Sequence, residues 1–331
     1  MADLRVRLAG LELQSPVLLA AGTAGYLDEL EGPVDFGAVG AVVSKSITRH
    51  PREGNPTWRI LPARAGMLNA IGLANVGIER FVEHTAPRID AFQRRTGCRV
   101  IGSVAGFSID DYVQVCAHME QIEAIGAVEL NVSCPNVHGG VEFGADPAAL
   151  RELVGAVRAA LPTTALIVKL SPIAVGHPGI ERIAEAAVAG GAPGGRAGRP
   201  GADGLTLCNT IPAMAIDIHT RRPRLTNVTG GLSGPAVHPV AVGLTHRVYR
   251  AVARDAGVPL IGAGGVSSWT DAAEFILAGA SAIEIGSALF ADPRAPRRVR
   301  RGLARWARGQ GAGRLTDLVG AVDLEPHAKE T

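Results

Sequence analysis

Eight short apolar runs recur along the chain: Pro16 to Ala21, Ala41 to Ile47, Val100 to Ala105, Ala127 to Cys134, Ala165 to Ser171, Gly204 to Asn209, Pro259 to Ala263 and Ala282 to Ile285. Helical patterns or long loops separate them, and alternation of this kind defines an α/β fold, best met by a (β/α)8 TIM barrel. Ahead of the first run, Leu4 to Val17 alternates apolar and polar residues around Ala9-Gly10, which predicts an N-terminal β-hairpin closing the barrel's bottom. A chain of 331 residues is long enough for two average domains, yet α/β barrels reach this length as one. The expectation is a single domain over 1–331, with a Gly/Pro/Arg-rich insertion at 190–201 and a tail at 315–331.

Three helices are marked by their caps. Ser108 precedes the acidic turn Asp110-Asp111, and Tyr112, Val115, Cys116 and Met119 follow at helical spacing. Asp146-Pro147 opens another, with Leu150, Leu153, Val154 and Val157 on one face, and Thr270-Asp271 opens a third that ends at Gly279. The arginine-rich run Arg294 to Arg314 reads as the outer face of a last helix, because Val299, Leu303 and Trp306 form one apolar stripe.

Thirty-three basic against 31 acidic residues give a net charge of +2, too small to point to nucleic acid. No stretch has the unbroken apolar length of a spanning helix, and Met1 to Arg7 lacks a signal peptide's apolar core, so a cytoplasmic protein is expected. Cys98, Cys116, Cys134 and Cys208 are far apart with no C-x-x-C, which argues against a metal site or an iron–sulfur cluster in this chain.

In a barrel the carboxyl ends of the strands carry the chemistry. The fourth run ends in Asn131-Val132-Ser133-Cys134-Pro135-Asn136, a thiol flanked by amides and therefore a candidate base or nucleophile. The second ends in Ser44-Lys45-Ser46, the fifth in Lys169-Leu170-Ser171 and the sixth in Cys208-Asn209-Thr210. A lysine ending an apolar strand must meet a polar cavity or an anion, so Lys45 and Lys169 point to a ligand that is anionic or accumulates negative charge. The seventh and eighth runs end in Gly262-Ala263-Gly264-Gly265 and Gly286-Ser287, where backbone N–H groups can approach a phosphate. Thr229 to Gly234 is read as a third glycine-rich loop of this kind.

Laid out this way, the chain resembles the class 1 dihydroorotate dehydrogenases over most of its length. The resemblance rests on Arg52-Glu53-Gly54-Asn55-Pro56, Gly66 to Leu73, Asn131 to Asn136, Val168 to Pro172 and Gly230 to Pro235, the last most like the heteromeric, NAD-linked class 1B. It implies FMN-dependent oxidation of dihydroorotate to orotate, with Cys134 as base at C5 while hydride leaves C6 for N5 of FMN. It places Lys45, Asn69, Ala70, Ile71, Gly72, Leu73, Asn131, Asn209 and Thr210 at the substrate. It assigns FMN to Ala21, Lys45, Ser46, Asn131, Lys169 and Cys208, and further to Gly234, Gly264, Gly265, Gly286 and Ser287. It also implies a homodimer and a second subunit carrying FAD and a 2Fe-2S cluster, with no role for nucleic acid or membrane.

The chain departs from the family pattern at Ser103, Ile173 and Ile211-Pro212-Ala213 and in the 190–201 insertion. These departures bear on the substrate more than on the cofactor, and three alternatives stand beside the reading: a related FMN dehydrogenase acting on another dihydropyrimidine, an RNA-binding dihydrouridine synthase, and a subunit that binds flavin without turnover.

Overall fold

The computed structural model describes residues 2–133, 143–172, 178–191 and 198–325. Each of the eight apolar runs coincides with a strand, the third and eighth starting one and two residues before their runs: β1 (Val17–Leu19), β2 (Ala41–Val43), β3 (Arg99–Val104), β4 (Ala127–Asn131), β5 (Ala165–Lys169), β6 (Gly204–Leu207), β7 (Leu260–Ala263) and β8 (Ala280–Ile285). All pair in parallel and in sequence order, and β5–β6 and β8–β1 pairing complete a closed barrel. The runs are apolar nearly throughout because both faces are buried, one against helices and one in the barrel.

Inward residues Leu18, Val43, Ile101, Ala127, Ile167 and Ile261 cluster with Val6, Leu8 and Leu13 of the hairpin. The hairpin strands Val6–Leu8 and Leu11–Leu13 turn through Ala9 and Gly10 at φ 49° and 83°, the left-handed pair that a two-residue hairpin turn requires. The hairpin therefore closes the amino-terminal end of the barrel and leaves the other end for chemistry.

The helix Ile109–Glu120 starts at Ser108, whose side chain accepts from Asp111 N–H, and Pro147–Ala160 starts at Asp146, which accepts from Ala148 and Ala149. The helix ending at Gly279 begins two residues earlier than its sequence signal: Ser268, not Thr270, is the cap, in a reciprocal box with Asp271. Val299 and Leu303 of the last helix, Ala295–Gly309, are fully buried, with its arginines mostly outside.

One feature differs from expectation. Thr229–Ser233 is a strand, not a loop, and it lies between Ile211–Met214 and Gly66–Asn69 in a four-stranded antiparallel sheet completed by Ile60–Ala63. A glycine-rich segment gives no local strand signal, and its partners lie far away in sequence. Both halves of this sheet leave the carboxyl ends of β2 and β6, so the sheet stands over the barrel mouth. The insertion enters β6 from the opposite end, and its residues 192–197 lie outside the described part of the chain.

Candidate active site

Alternation along β4 and β5 sends Asn131, Ser133 and Ser171 inward, and Asn209, just past the end of β6, joins them above the core. Asn209 Nδ2 donates to Asn131 Oδ1 at 2.9 Å and to Ser133 Oγ at 3.0 Å, and the Ser133 and Ser171 hydroxyls are 2.9 Å apart. Tyr112 Oη donates to the Asn131 carbonyl at 2.7 Å, and Asn209 Oδ1 accepts from Thr210 N–H at 2.8 Å. Cys134 follows Ser133 directly and lies outside the described residues, as does Ile173.

The two lysines differ sharply. Lys45 is half-buried just past β2, and its backbone N–H donates to Gly25 O at 2.8 Å. Burial and then the like charge of Arg59 pull its pKa down, and no carboxylate among the described residues offsets them. It is a cation placed to receive an anion. Lys169 is buried and already paired, with Nζ 2.6 Å from Glu284 Oε2 and 3.7 Å from Glu129 Oε1. Despite desolvation, the two carboxylates raise its pKa, so it stays charged. Cys208 beside it is buried, which pushes its thiol up to about 12. Cys98 and Cys116 are buried elsewhere in the core, and their thiols are pushed up as well.

Asn69 to Leu73 border the mouth under firm control. Asn69 Nδ2 donates to Gly231 O at 3.3 Å, Asn55 Nδ2 to Ala70 O at 2.9 Å, and Asn55 N–H to Ile71 O at 3.0 Å. Gly72 and Leu73 both adopt left-handed backbone, at φ 73° and 57°.

On the far side of the mouth the chain is shaped to let backbone come close. Gly265 has φ 71°, and a Cβ there would lie 2.8 Å from both Gly234 O and His238 Cβ; one at Gly234, φ 99°, would lie 2.6 Å from Gly66 Cα. His238 Nδ1 donates to Gly264 O at 3.0 Å and holds this turn in place. Gly286 and Ser287 follow β8, where a Cβ at Gly286 would meet Ala20 Cβ at 3.5 Å in ordinary contact, and Ala21 is half-buried after β1. Ser46 is bonded to Ser103 at 2.9 Å, so both hydroxyls are engaged. His238, Glu129 and Glu284 were not singled out from sequence. The signal for the two acids was an acidic residue inside an apolar strand run.

A parallel barrel whose mouth gathers amides, hydroxyls, an unpaired lysine and a glycine cradle defines an enzyme that handles a small anionic ligand beside a phosphate-bearing cofactor. A family model for dihydroorotate dehydrogenase matches residues 3–306. The chain is 44% identical over 322 residues to the dihydroorotate dehydrogenase B (NAD(+)) catalytic subunit of Pelobacter propionicus, covering 97% of this chain and 99% of that one. It is 42% identical over 325 residues to the same-named subunit of Bacteroides thetaiotaomicron, covering 98% and 100%. Among solved structures, a dihydroorotate dehydrogenase of Eimeria tenella in complex with ferulenol shares the fold, with a TM-score of 0.76 at 24% identity over 96% of this chain and 88% of that one. The chain belongs to the dihydroorotate dehydrogenase family. FMN is the cofactor of this kind of enzyme, and the cradle at Gly234, Gly264 and Gly265 with the cation at Lys45 fits a phosphate-bearing, anionic ring system. Among the described residues no cluster of metal ligands occurs, and no helix is long and apolar enough to cross a membrane.

Proposed function

We propose that this chain oxidises dihydroorotate to orotate with FMN, as the catalytic subunit of an NAD-linked enzyme of pyrimidine biosynthesis. Full-length identity to the catalytic subunits carries the reading, and the placement of Lys45 without a carboxylate partner supports it. The substrate carries a carboxylate and ring amides. Lys45 meets its negative charge, while Asn131, Asn209, Thr210 and the Asn69 to Leu73 segment hold the ring by complementary hydrogen bonds.

Cys134, next to Ser133, takes the proton from C5. FMN, when bound, would supply at N5 the acceptor for the hydride that leaves C6. A thiol acts as a base only as thiolate, so Cys134 must be deprotonated before it can act. Ala21, Ser46, Cys208, Gly264, Gly265, Gly286 and Ser287 would hold the cofactor, and the Lys169 ammonium would supply it with a fixed positive charge.

Electrons then leave through a second subunit carrying FAD and a 2Fe-2S cluster. We place the protein in the cytoplasm as a homodimer, one domain throughout. The exposed Trp58, Ile216 and Ile218, at 72%, 56% and 79% accessibility near the overhanging sheet, are apolar area of the kind an interface covers. Anaerobic addition of dihydroorotate to the FMN-loaded chain tests the reaction. Rapid bleaching of the flavin supports it, whereas bleaching by dihydrouracil and not by dihydroorotate moves the chain to the alternative substrate class.

A further inference from the structure

Just below the strand ends the barrel holds a group of charges with no place in substrate binding. Glu129 on β4, Lys169 on β5 and Glu284 on β8 are all buried. Lys169 Nζ donates to Glu284 Oε2 at 2.6 Å and lies 3.7 Å from Glu129 Oε1, and Thr206 Oγ1 on β6 donates to Glu129 Oε2 at 2.7 Å. The remaining oxygens, Glu129 Oε1 and Glu284 Oε1, are buried without a hydrogen-bond partner, while both carboxyls converge on the one Lys169 ammonium.

Two carboxylates and one ammonium leave a net negative charge where water cannot solvate it. One proton between the two carboxyls removes that charge and supplies the missing donor. The neighbours in register add no charge: Leu18 and Ala263 flank Glu284, and Ser103 and Ile167 flank Glu129. Cys208 is the other titratable group acting on Lys169. Lys169 is in register with Asn131 and therefore stands level with it on the neighbouring strand, beside the amide network.

We propose that Glu129 and Glu284 form a one-proton carboxyl pair that fixes and charge-balances the Lys169 ammonium beneath the flavin, which makes both acids positioning residues for the reaction. The proposal rests on the reading of Lys169 as a flavin neighbour. Two-electron reduction of bound FMN with uptake of one proton changes the equilibrium constant tenfold per pH unit, about 30 mV. Where alkaline pH has stripped the pair of its proton, reduction draws a second proton back onto it, because the added negative charge strengthens proton binding there. The dependence then becomes a hundredfold per unit, about 59 mV.

Redox titration of bound FMN from neutral to alkaline pH tests this. Wild type should steepen from tenfold to a hundredfold per unit, while Glu284→Gln and Glu129→Gln should retain FMN and stay at tenfold. The infrared band of a protonated carboxyl should be present at neutral pH in the wild-type chain with or without FMN. Absence of that band overturns the pair even if neither variant folds, and so does steepening that persists in both variants. Lys169→Met separates the two readings. An unchanged FMN potential in it takes Lys169 away from the flavin, whereas a shifted potential with wild-type steepening in Glu284→Gln removes the proton pair alone.

Discussion

Asn209 Nδ2 donates to Asn131 Oδ1 at 2.9 Å, and so ties the end of β6 to the end of β4 across the intervening β5. The same amide reaches Ser133 Oγ at 3.0 Å, one residue before Cys134. Asn209 thus orders both Asn131 and the residue that precedes Cys134, the proposed substrate amide and the approach to the proposed base.

Replacing Asn209 with Ala should lower kcat/KM for dihydroorotate by about 10–100-fold, since it removes the proposed ring contact and leaves Asn131 Oδ1 only the longer bond from Ser133 N–H at 3.4 Å. FMN content should hold. Steady-state kinetics beside a flavin absorbance spectrum checks this, and loss of flavin instead of substrate efficiency would reassign the residue.

Cys134→Ala should bind FMN normally yet slow flavin reduction by about 10²–10⁴-fold, the usual weight of a general base. In the wild type the reductive rate should rise with pH through one thiol ionisation. Anaerobic stopped-flow across neutral to alkaline pH measures both, and a wild-type rate in the alanine variant would remove Cys134 from the mechanism.

Lys45 has its pKa lowered by burial and by Arg59. The charged form binds the anion, so affinity for orotate should fall as pH rises through that lowered value, earlier than an ordinary lysine near 10.4 would allow. Titrating orotate into the FMN-loaded chain from neutral to alkaline pH follows it. Lys45→Ala should bind orotate weakly and without the alkaline loss.

Glu284 has its pKa raised by burial and then by the Glu129 carboxylate. The folded chain therefore keeps a proton that the unfolded chain releases, and stability falls as pH rises from the ordinary carboxylate value of about 4.3 toward the raised one. Lys169 is raised rather than lowered and stays charged throughout that window. Glu284→Gln lacks this titration, so urea unfolding should show it losing less stability than wild type between mildly acidic and mildly alkaline pH, by about 1.4 kcal/mol per unit of the shift removed. Lys169→Met, which leaves two carboxyls without a counter-ion, should cost on the order of 3–5 kcal/mol.

Gly265→Ala should weaken FMN binding, because its φ of 71° strains any other residue and a Cβ would press within 2.8 Å of Gly234 O. Fluorescence titration of the flavin-free chain with FMN reads the loss. An unchanged Kd would place the phosphate elsewhere.

The barrel and its orientation are written in local sequence signals. Strands buried on both faces must be apolar throughout, helix caps are local, and barrel chemistry sits at strand ends, so Lys45, Asn131, Lys169 and Asn209 could be found from position alone. Which group pairs with which depends on contacts between residues far apart in the chain. Gly230 to Ser233 looked like a loop because glycine carries no strand signal, yet Asn69 and Pro212 pair with Gly231 from either side. Lys45 and Lys169 looked alike, but one ends among groups that do not neutralise it while the other is closed between Glu129 and Glu284, which lie 40 and 115 residues away in sequence. Closure of the barrel brings such distant strands into register, and burial then fixes the charge each side chain can keep.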